Sequence, residues 1–394
     1  MDPIYLDHHA TTKPCEEAVQ AATAVMRDQW ANPASVHRMG QEAARVLEHA
    51  RGQVAKLLGA RSRDITFTGS GTEAIDLAIR GVLGATARHA PEKNIIITNA
   101  LEHSAVRNLC KQLQDLGRAA VHDIPVEPGG RLSVDGLNDL LREHKDRVAL
   151  VSVQWANNET GVIQPIVELA AVCKKQGVLI HCDATQWVGK MPTDLGADDA
   201  PQLDLLNCSG HKFHAPKGAG ALWVRRGVRL QPTTPGSQEL GRRGGTHAMP
   251  AIAGMGAAAE VAQTWIESEK NRAELALLRD KLEYGILDAC PGSAVNGDTD
   301  HRLWSVTNIG FPGLSSEALL LGLSERGVCV SAGAACASGS LEPSPVLLAM
   351  GVEERFAHGS LRLSLSRETT LVEVERAIGE VSRVVAQLSR SMPA

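Results

Sequence analysis

At 394 residues the chain exceeds the roughly 250–300 at which a single hydrophobic core stops growing, so two domains are expected. Hydrophobic residues make up 43% of it, yet no run of about 18 uncharged apolar residues is present to cross a bilayer, and a start carrying Asp2 and Asp7 is unlike a signal peptide. A net charge of −5, from 40 basic and 45 acidic residues, excludes the electrostatic footprint of a nucleic-acid or anionic-membrane binder and leaves small molecules and proteins as partners.

Residues 2–12 read as a short strand entering a polar turn, and Thr12 with Glu16 brackets an expected helix start at Pro14. Asn32-Pro33 breaks the next helical pattern, which resumes over 41–58 with Ala44, Leu47, Val54, Leu57 and Leu58 at helical spacing. The run Ile65-Thr66-Phe67-Thr68 predicts a strand, followed by Gly69-Ser70-Gly71-Thr72-Glu73 and a helical segment through Ile79. Strand, glycine turn and helix N-terminus make an anion site, because free backbone N–H groups and the helix dipole point at whatever sits there. A tight turn with a good cap is the simpler reading of the same residues.

The alternation continues with strands expected over 94–98, 148–153, 178–182 and 203–207, separated by helical stretches. Such spacing predicts a largely parallel sheet covered by helices, with ligands gathering at the carboxyl ends of the strands. Polar residues stand just past those ends: Glu102-His103, Asn157 to Gly161, Asp183 to Gln186, and Ser209-Gly210-His211-Lys212. Each alone reads equally well as a turn residue; together they offer what one cofactor needs. The amine of Lys212 can form a Schiff base with a carbonyl, and Ser209 and His211 just before it can bind a phosphate ester, so pyridoxal 5'-phosphate is the first cofactor to test.

A glycine-rich stretch over 236–246 carries two arginines and Thr246, and a long helical region is expected from there to Cys290. The remainder reads as a smaller unit with strands over 303–309, 328–331 and 361–365. Its last helix has Val374, Ile378, Val381, Val385 and Leu388 on a core-facing stripe. Between them, residues 331–340 lack bulky apolar side chains, so a mobile loop with an exposed Cys336 is expected, and an exposed thiol able to reach an electropositive site is a candidate nucleophile. Cys110, Cys173, Cys182 and Cys329 read instead as small buried hydrophobes. Without a Cys-x-x-Cys pair or secretion signal, the eight cysteines are expected as reduced thiols in a cytoplasm, with no zinc site.

Further motifs join these: Tyr5-Leu6-Asp7 with Ala10-Thr11-Thr12, Asn32-Pro33, Ala156 to Gly161, Gly244 to Thr246, Ala335-Cys336 with Leu341 to Ser344, and Leu361 to Ser364. In this order, over nearly the whole chain, they resemble the PLP-dependent cysteine desulfurases of aminotransferase class V and fold type I, in the nitrogen-fixation and iron–sulfur-cluster group. The resemblance implies an α/β fold: a large PLP-binding domain over 15–260 with a mostly parallel seven-stranded sheet, and a smaller α+β domain of 1–14 and 261–394 carrying the Cys336 loop.

By position, the resemblance makes Lys212 the Schiff-base lysine, Asp183 the partner of the pyridine nitrogen and His103 the group stacked on the ring. It places Gln186 on the phenolic oxygen, and Gly71, Thr72, Ser209 and His211 on the phosphate. Thr246 would reach the cofactor of a neighbouring subunit in a homodimer, while Arg362, assisted by Asn32 and Asn158, would grip the substrate carboxylate by a two-pronged hydrogen bond. The implied reaction converts L-cysteine to L-alanine: Lys212 shuttles the α-proton, and Cys336 takes the sulfur as a persulfide for a sulfur-acceptor protein such as an iron–sulfur scaffold. The run Ser344 to Leu348, with Pro345, also resembles selenocysteine lyases, so selenocysteine or another C–S bond stays open as the target. A PLP-fold partner protein without turnover is the reading from a different class, and the presence of Lys212, Asp183 and Arg362 argues against it.

Overall fold

The computed structural model describes residues 2–332 and 342–390. Cys336 and residues 333–340 of its expected loop lie outside the described residues. The main sheet has seven strands, in the spatial order Ile65–Thr68, Gly220–Val224, Leu205–Ser209, Leu179–Asp183, Val148–Gln154, Ile95–Thr98, Ala120–Asp123. Gly220–Val224 runs antiparallel to both its neighbours, and the remaining adjacent pairs are parallel. The apolar β-branched runs dictate this arrangement. Val148–Gln154 is buried at every position, as a central parallel strand covered on both faces must be. Along Ile95–Thr98 the faces alternate: Ile95 and Ile97 join a core with helices Glu16–Asp28, Arg38–Leu57 and Met249–Ile266, while Ile96 joins another with Gly71–Thr86 and Ser104–Asp115. The edge strand Ala120–Asp123 has no counterpart in the sequence reading, because it is only half-buried and carries His122 and Asp123 in place of an apolar run.

A separate core gathers Ile4 and Leu6 with Leu282, Ile286, Ile309, Leu363 and Val381. The strand Ser360–Ser364 pairs antiparallel with Val306–Gly310, and Ile4–Tyr5 lies parallel to Val328–Cys329. The last helix, Leu371–Arg390, buries Val374, Ala377, Val381 and Val384, with Ile378, Val385 and Leu388 packed at the margin. No helix among the described residues is long and apolar enough to cross a membrane.

Three local expectations are corrected. The long helical region ending at Cys290 is two helices, Met249–Ile266 and Glu269–Ala289. Cys329 is half-buried, unlike Cys110, Cys173 and Cys182, because it belongs to a two-residue strand. Thr12 does not cap the first helix, which starts at Glu16 after an N-cap Cys15 that makes no side-chain bond. Its hydroxyl instead donates to the His211 carbonyl at 3.0 Å and accepts the His214 N–H at 2.7 Å, so tertiary partners outcompete the local cap and tie the N-terminal turn to the Lys212 segment.

The glycine-rich stretch over 236–246 is anchored by Glu239. This buried carboxylate accepts from Arg51 Nη1 and Nη2 at 2.8 and 2.9 Å, from the Phe67 N–H at 2.8 Å, and pairs with His247 Nε2 at 2.6 Å. It holds Glu239 and Leu240 at φ values of 50° and 57°, a left-handed conformation that non-glycine residues adopt only when their surroundings over-determine it. Burial pushes the carboxyl up, but the bonds from His247 and Arg51 outweigh it and bring it down to about 2. A carboxyl lowered from 4.5 contributes stability above that pH, and the contribution disappears as pH falls toward about 2. Glu239→Gln, which leaves buried Arg51 with only the largely exposed Glu48 as counter-charge, is expected to cost about 3–5 kcal/mol in urea unfolding at pH 7. A loss below about 1 kcal/mol would show that the network contributes nothing net.

Candidate active site

A cavity of about 590 Å³ opens at the carboxyl ends of the parallel strands, where an open α/β sheet places its ligands. Lys212 enters it from the 3-10 turn Gly210–Lys212, directly after the strand Leu205–Ser209. Its Nζ donates to the carbonyls of His9 and Ala10, at 2.5 and 2.9 Å. The N-terminal turn thus aims the amine, and its polar residues serve the site.

Asp183 ends the neighbouring strand, 5% exposed, and its Oδ1 accepts from Asn207 Nδ2 at 2.8 Å and the Thr185 N–H at 3.1 Å. Behind it Asn207 Oδ1 lies 2.8 Å from His181 Nε2, and His181 Nδ1 lies 2.9 Å from Ser152 Oγ. Because Asn207 spends its amide protons on Asp183 and Thr185, its carbonyl must accept from His181 Nε2–H, which leaves Nδ1 to accept the Ser152 hydroxyl. Burial lowers the His181 imidazole to about 4, consistent with that neutral tautomer. The row fixes where Asp183 points.

His103 caps the helix Ser104–Asp115, its Nδ1 accepting the Ala105 N–H at 3.1 Å. Burial pushes this imidazole down against the pull of Asp183, so at pH 7 it is neutral with its proton on Nε2. Gly71 and Thr72 open the helix Gly71–Thr86, whose Ser70 cap accepts the Glu73 N–H at 3.1 Å. A Cβ on Gly71 would lie 3.2 Å from Ser209 Cβ and 3.4 Å from Thr185 Oγ1, so the helix N-terminus and those hydroxyls converge on one spot. That spot suits a phosphate: helix dipole, first-turn N–H groups and short hydroxyls. His211, lowered to about 4 by burial, faces Thr11 Oγ1 at 3.1 Å beside it.

Gln186 is held at both ends, Nε2 donating to the His9 carbonyl at 2.9 Å and Oε1 accepting from Lys190 Nζ at 2.6 Å. Arg362, 2% exposed on the strand Ser360–Ser364, donates Nη2 to Asp7 at 2.7 Å and Nη1 to the Asn158 carbonyl at 3.1 Å, while its buried Nε has no partner among the described residues. Asn158 is in the cavity wall. Asn32 and Thr246 are not: both are exposed, and Asn32 Oδ1 is occupied by the Ala34 N–H at 2.9 Å. The flanks of the undescribed segment do reach the site. Ser331 bridges the backbone of Arg362, Ser344 Oγ donates to Glu159 at 2.6 Å, and Pro345 forms part of the wall.

Sequence reasoning overlooked Lys190, Asn207, His181 and Arg107. Lys190 is buried and pushed well below the ordinary lysine value by desolvation, which no local pattern announces. Asn207 and His181 alternate along strands that read only as apolar runs. Arg107 lies one helical turn after His103, and this i, i+4 relation was the available signal.

The sequence matches the model of the aminotransferase class-V family over residues 4–377. It is 45% identical to the cysteine desulfurase NifS of Azotobacter vinelandii, covering 100% of this chain and 95% of the relative. It is 44% identical, with the same coverages, to a cysteine desulfurase of Trichormus azollae. Among solved structures, a NifS-like protein superposes with a TM-score of 0.88 at 32% identity, over 98% of this chain and 100% of the other.

Proposed function

This chain belongs to the aminotransferase class-V family and is a cysteine desulfurase of the NifS type, and we propose that it converts L-cysteine to L-alanine by passing the sulfur to Cys336 as a persulfide. The family is dependent on pyridoxal phosphate. The residues fit that group: the glycine cradle at Gly71 with Ser209 and Thr185 suits its phosphate, and the aligned carboxylate of Asp183 suits a protonated ring nitrogen. This convergence of Lys212, Asp183 and the Gly71 turn on one cavity is the observation that carries the reading.

When bound, the cofactor supplies an electron sink that stabilises negative charge at the substrate Cα. His103 would cover the ring and Gln186 would meet its phenolic oxygen. Lys212, whose amine lies against the His9 and Ala10 carbonyls, would hold the cofactor and, when free as an amine, move the Cα proton. Arg362 and Asn158 orient the substrate carboxylate, a planar fork matching a planar anion. The Cys336 thiolate would attack the substrate sulfur as the Cβ–S bond breaks, leaving a persulfide on Cys336, and the electron pair left on carbon would be protonated at Cβ and then Cα to give L-alanine; the described flanks at Ser331 and Ser344 border the cavity.

The proposed large unit is 15–260, with 1–14 and 261–394 forming the small one. Asn32 and Thr246 fall outside this chain's cavity, and Trp30, Val36 and Leu240 near them in sequence are 68%, 89% and 77% exposed. These features support a homodimer in which both residues serve the neighbouring site. A cytoplasmic enzyme delivering sulfur to an acceptor protein, for iron–sulfur cluster assembly or thiolation, completes the reading.

Incubation with L-cysteine or L-selenocysteine, followed for alanine and for the mass of the Cys336 peptide, tests it. L-cysteine is expected to yield alanine together with one added sulfur on Cys336. Alanine from L-selenocysteine alone, with Cys336 unmodified, points to a selenocysteine lyase, and a protein with neither turnover nor visible cofactor absorbance to a non-catalytic partner.

A further inference from the structure

The group left without a task by this chemistry is Glu102. It lies between the strand Ile95–Thr98 and the helix Ser104–Asp115, fully buried, yet forms part of the cavity wall beside His103. One carboxyl oxygen is engaged: Oε1 accepts the Gln154 N–H at 2.6 Å and Asn99 Nδ2 at 2.8 Å. The other, Oε2, is buried with no hydrogen-bond partner among the described residues. An ionised carboxylate with one oxygen both desolvated and unpaired is among the costliest groups to bury, and a proton removes most of that cost.

The surroundings point the same way. Asp183 faces Glu102 from the next strand end but one with a like charge, and Arg107, on the helix that follows, opposes it. Asn99 and Gln154 are neutral donors, and the adjacent thiols of Cys110 and Cys182 are pushed up by burial, so they add no charge. His103, lowered by burial, is neutral as well.

We propose that Glu102 is a positioning residue, standing as a neutral acid in the cavity wall so that the negative charge at this end of the site resides on Asp183. Were Glu102 ionised, it would compete with Asp183 for the proton and the cation that Asp183 is built to hold. The inference rests on the assignment of Asp183 to the ring nitrogen made above. Burial first, and Asp183 second, raise the Glu102 carboxyl to about 8, while Asn99, Gln154 and Arg107 pull it the other way.

Glu102→Gln keeps shape and neutrality. Infrared difference spectra of wild type against this variant, on the full-length protein as purified, are expected to show the C=O stretch of a protonated carboxylic acid at pH 7, titrating away near pH 8. With the cofactor bound, wild type should change its visible absorbance as pH rises through about 8, and the variant should not. The variant's affinity for pyridoxal phosphate at pH 7 should stay within about threefold of wild type. Because folding raises this carboxyl from 4.5, wild-type stability relative to the variant should fall from pH 4.5 to about 8 and level off above it. A missing band, or affinity more than about tenfold weaker in the variant, overturns the proposal, since the site would then need a charged Glu102. If the variant does not fold, Asp183→Asn serves: removing the like charge should move the wild-type band to a lower midpoint, and an unmoved midpoint overturns the coupling. Unchanged cofactor affinity in Asp183→Asn would sink the assignment of Asp183 itself, whatever the band shows.

Discussion

Lys212→Ala is expected to lower alanine formation from L-cysteine by on the order of 10³-fold and to erase the visible absorbance of the bound cofactor. On the proposed mechanism, removing the amine removes both the covalent anchor and the base that handles the Cα proton. No neighbouring amine can take over. Lys190 is buried and its amine is committed to Gln186 at 2.6 Å, which holds it away from the site that Lys212 occupies. The Ala10 carbonyl would lose the Lys212 donor while the His9 carbonyl keeps Gln186 Nε2, and the turn is also held by Thr12 and His211, so the fold should persist. Circular dichroism separates the two effects. A folded variant retaining more than about a tenth of the activity would remove Lys212 from the reaction.

Cys336→Ser is expected to reduce sulfur mobilisation by on the order of 10³-fold while leaving the cofactor absorbance intact. Oxygen is a far poorer nucleophile toward sulfur than a thiolate and forms no persulfide. The buried thiols Cys110, Cys173 and Cys208 offer no substitute: burial raises them to about 12, so at pH 7 they are protonated as well as enclosed. Mass spectrometry of the Cys336 peptide after exposure to L-cysteine reads the step directly. Unchanged alanine release in the variant would reassign the protein to the C–S lyases that need no enzyme thiol.

The two outcomes divide the work between residues that reach the cavity by different routes. Lys212, Asp183 and His103 arrive at the carboxyl ends of strands of one sheet, so strand alternation and the polar residues after each strand made them legible in the sequence. Arg362 and Asn158 come together from distant parts of the chain, with Asp7 of the N-terminal turn as a third party. Their meeting was visible only through motif resemblance, since nothing local to Leu361-Arg362-Leu363 indicates that its guanidinium meets Asp7 and the Asn158 carbonyl.

What the amino-acid order determined unaided was most of the succession of buried parallel strands and covering helices, though not the antiparallel Gly220–Val224, with the glycine turn before the helix Gly71–Thr86 and the residue types available for chemistry. These are local consequences of hydrophobic periodicity and backbone freedom. The tertiary structure alone decided that Thr12 would brace Lys212 and leave the helix uncapped, that Gln186 would be pinned by a buried Lys190, and that Glu102 would meet Asp183 in a dry wall. Each depends on desolvation and on partners roughly 4 to 200 residues away, and the price of burying a polar group is set by the neighbours the fold supplies.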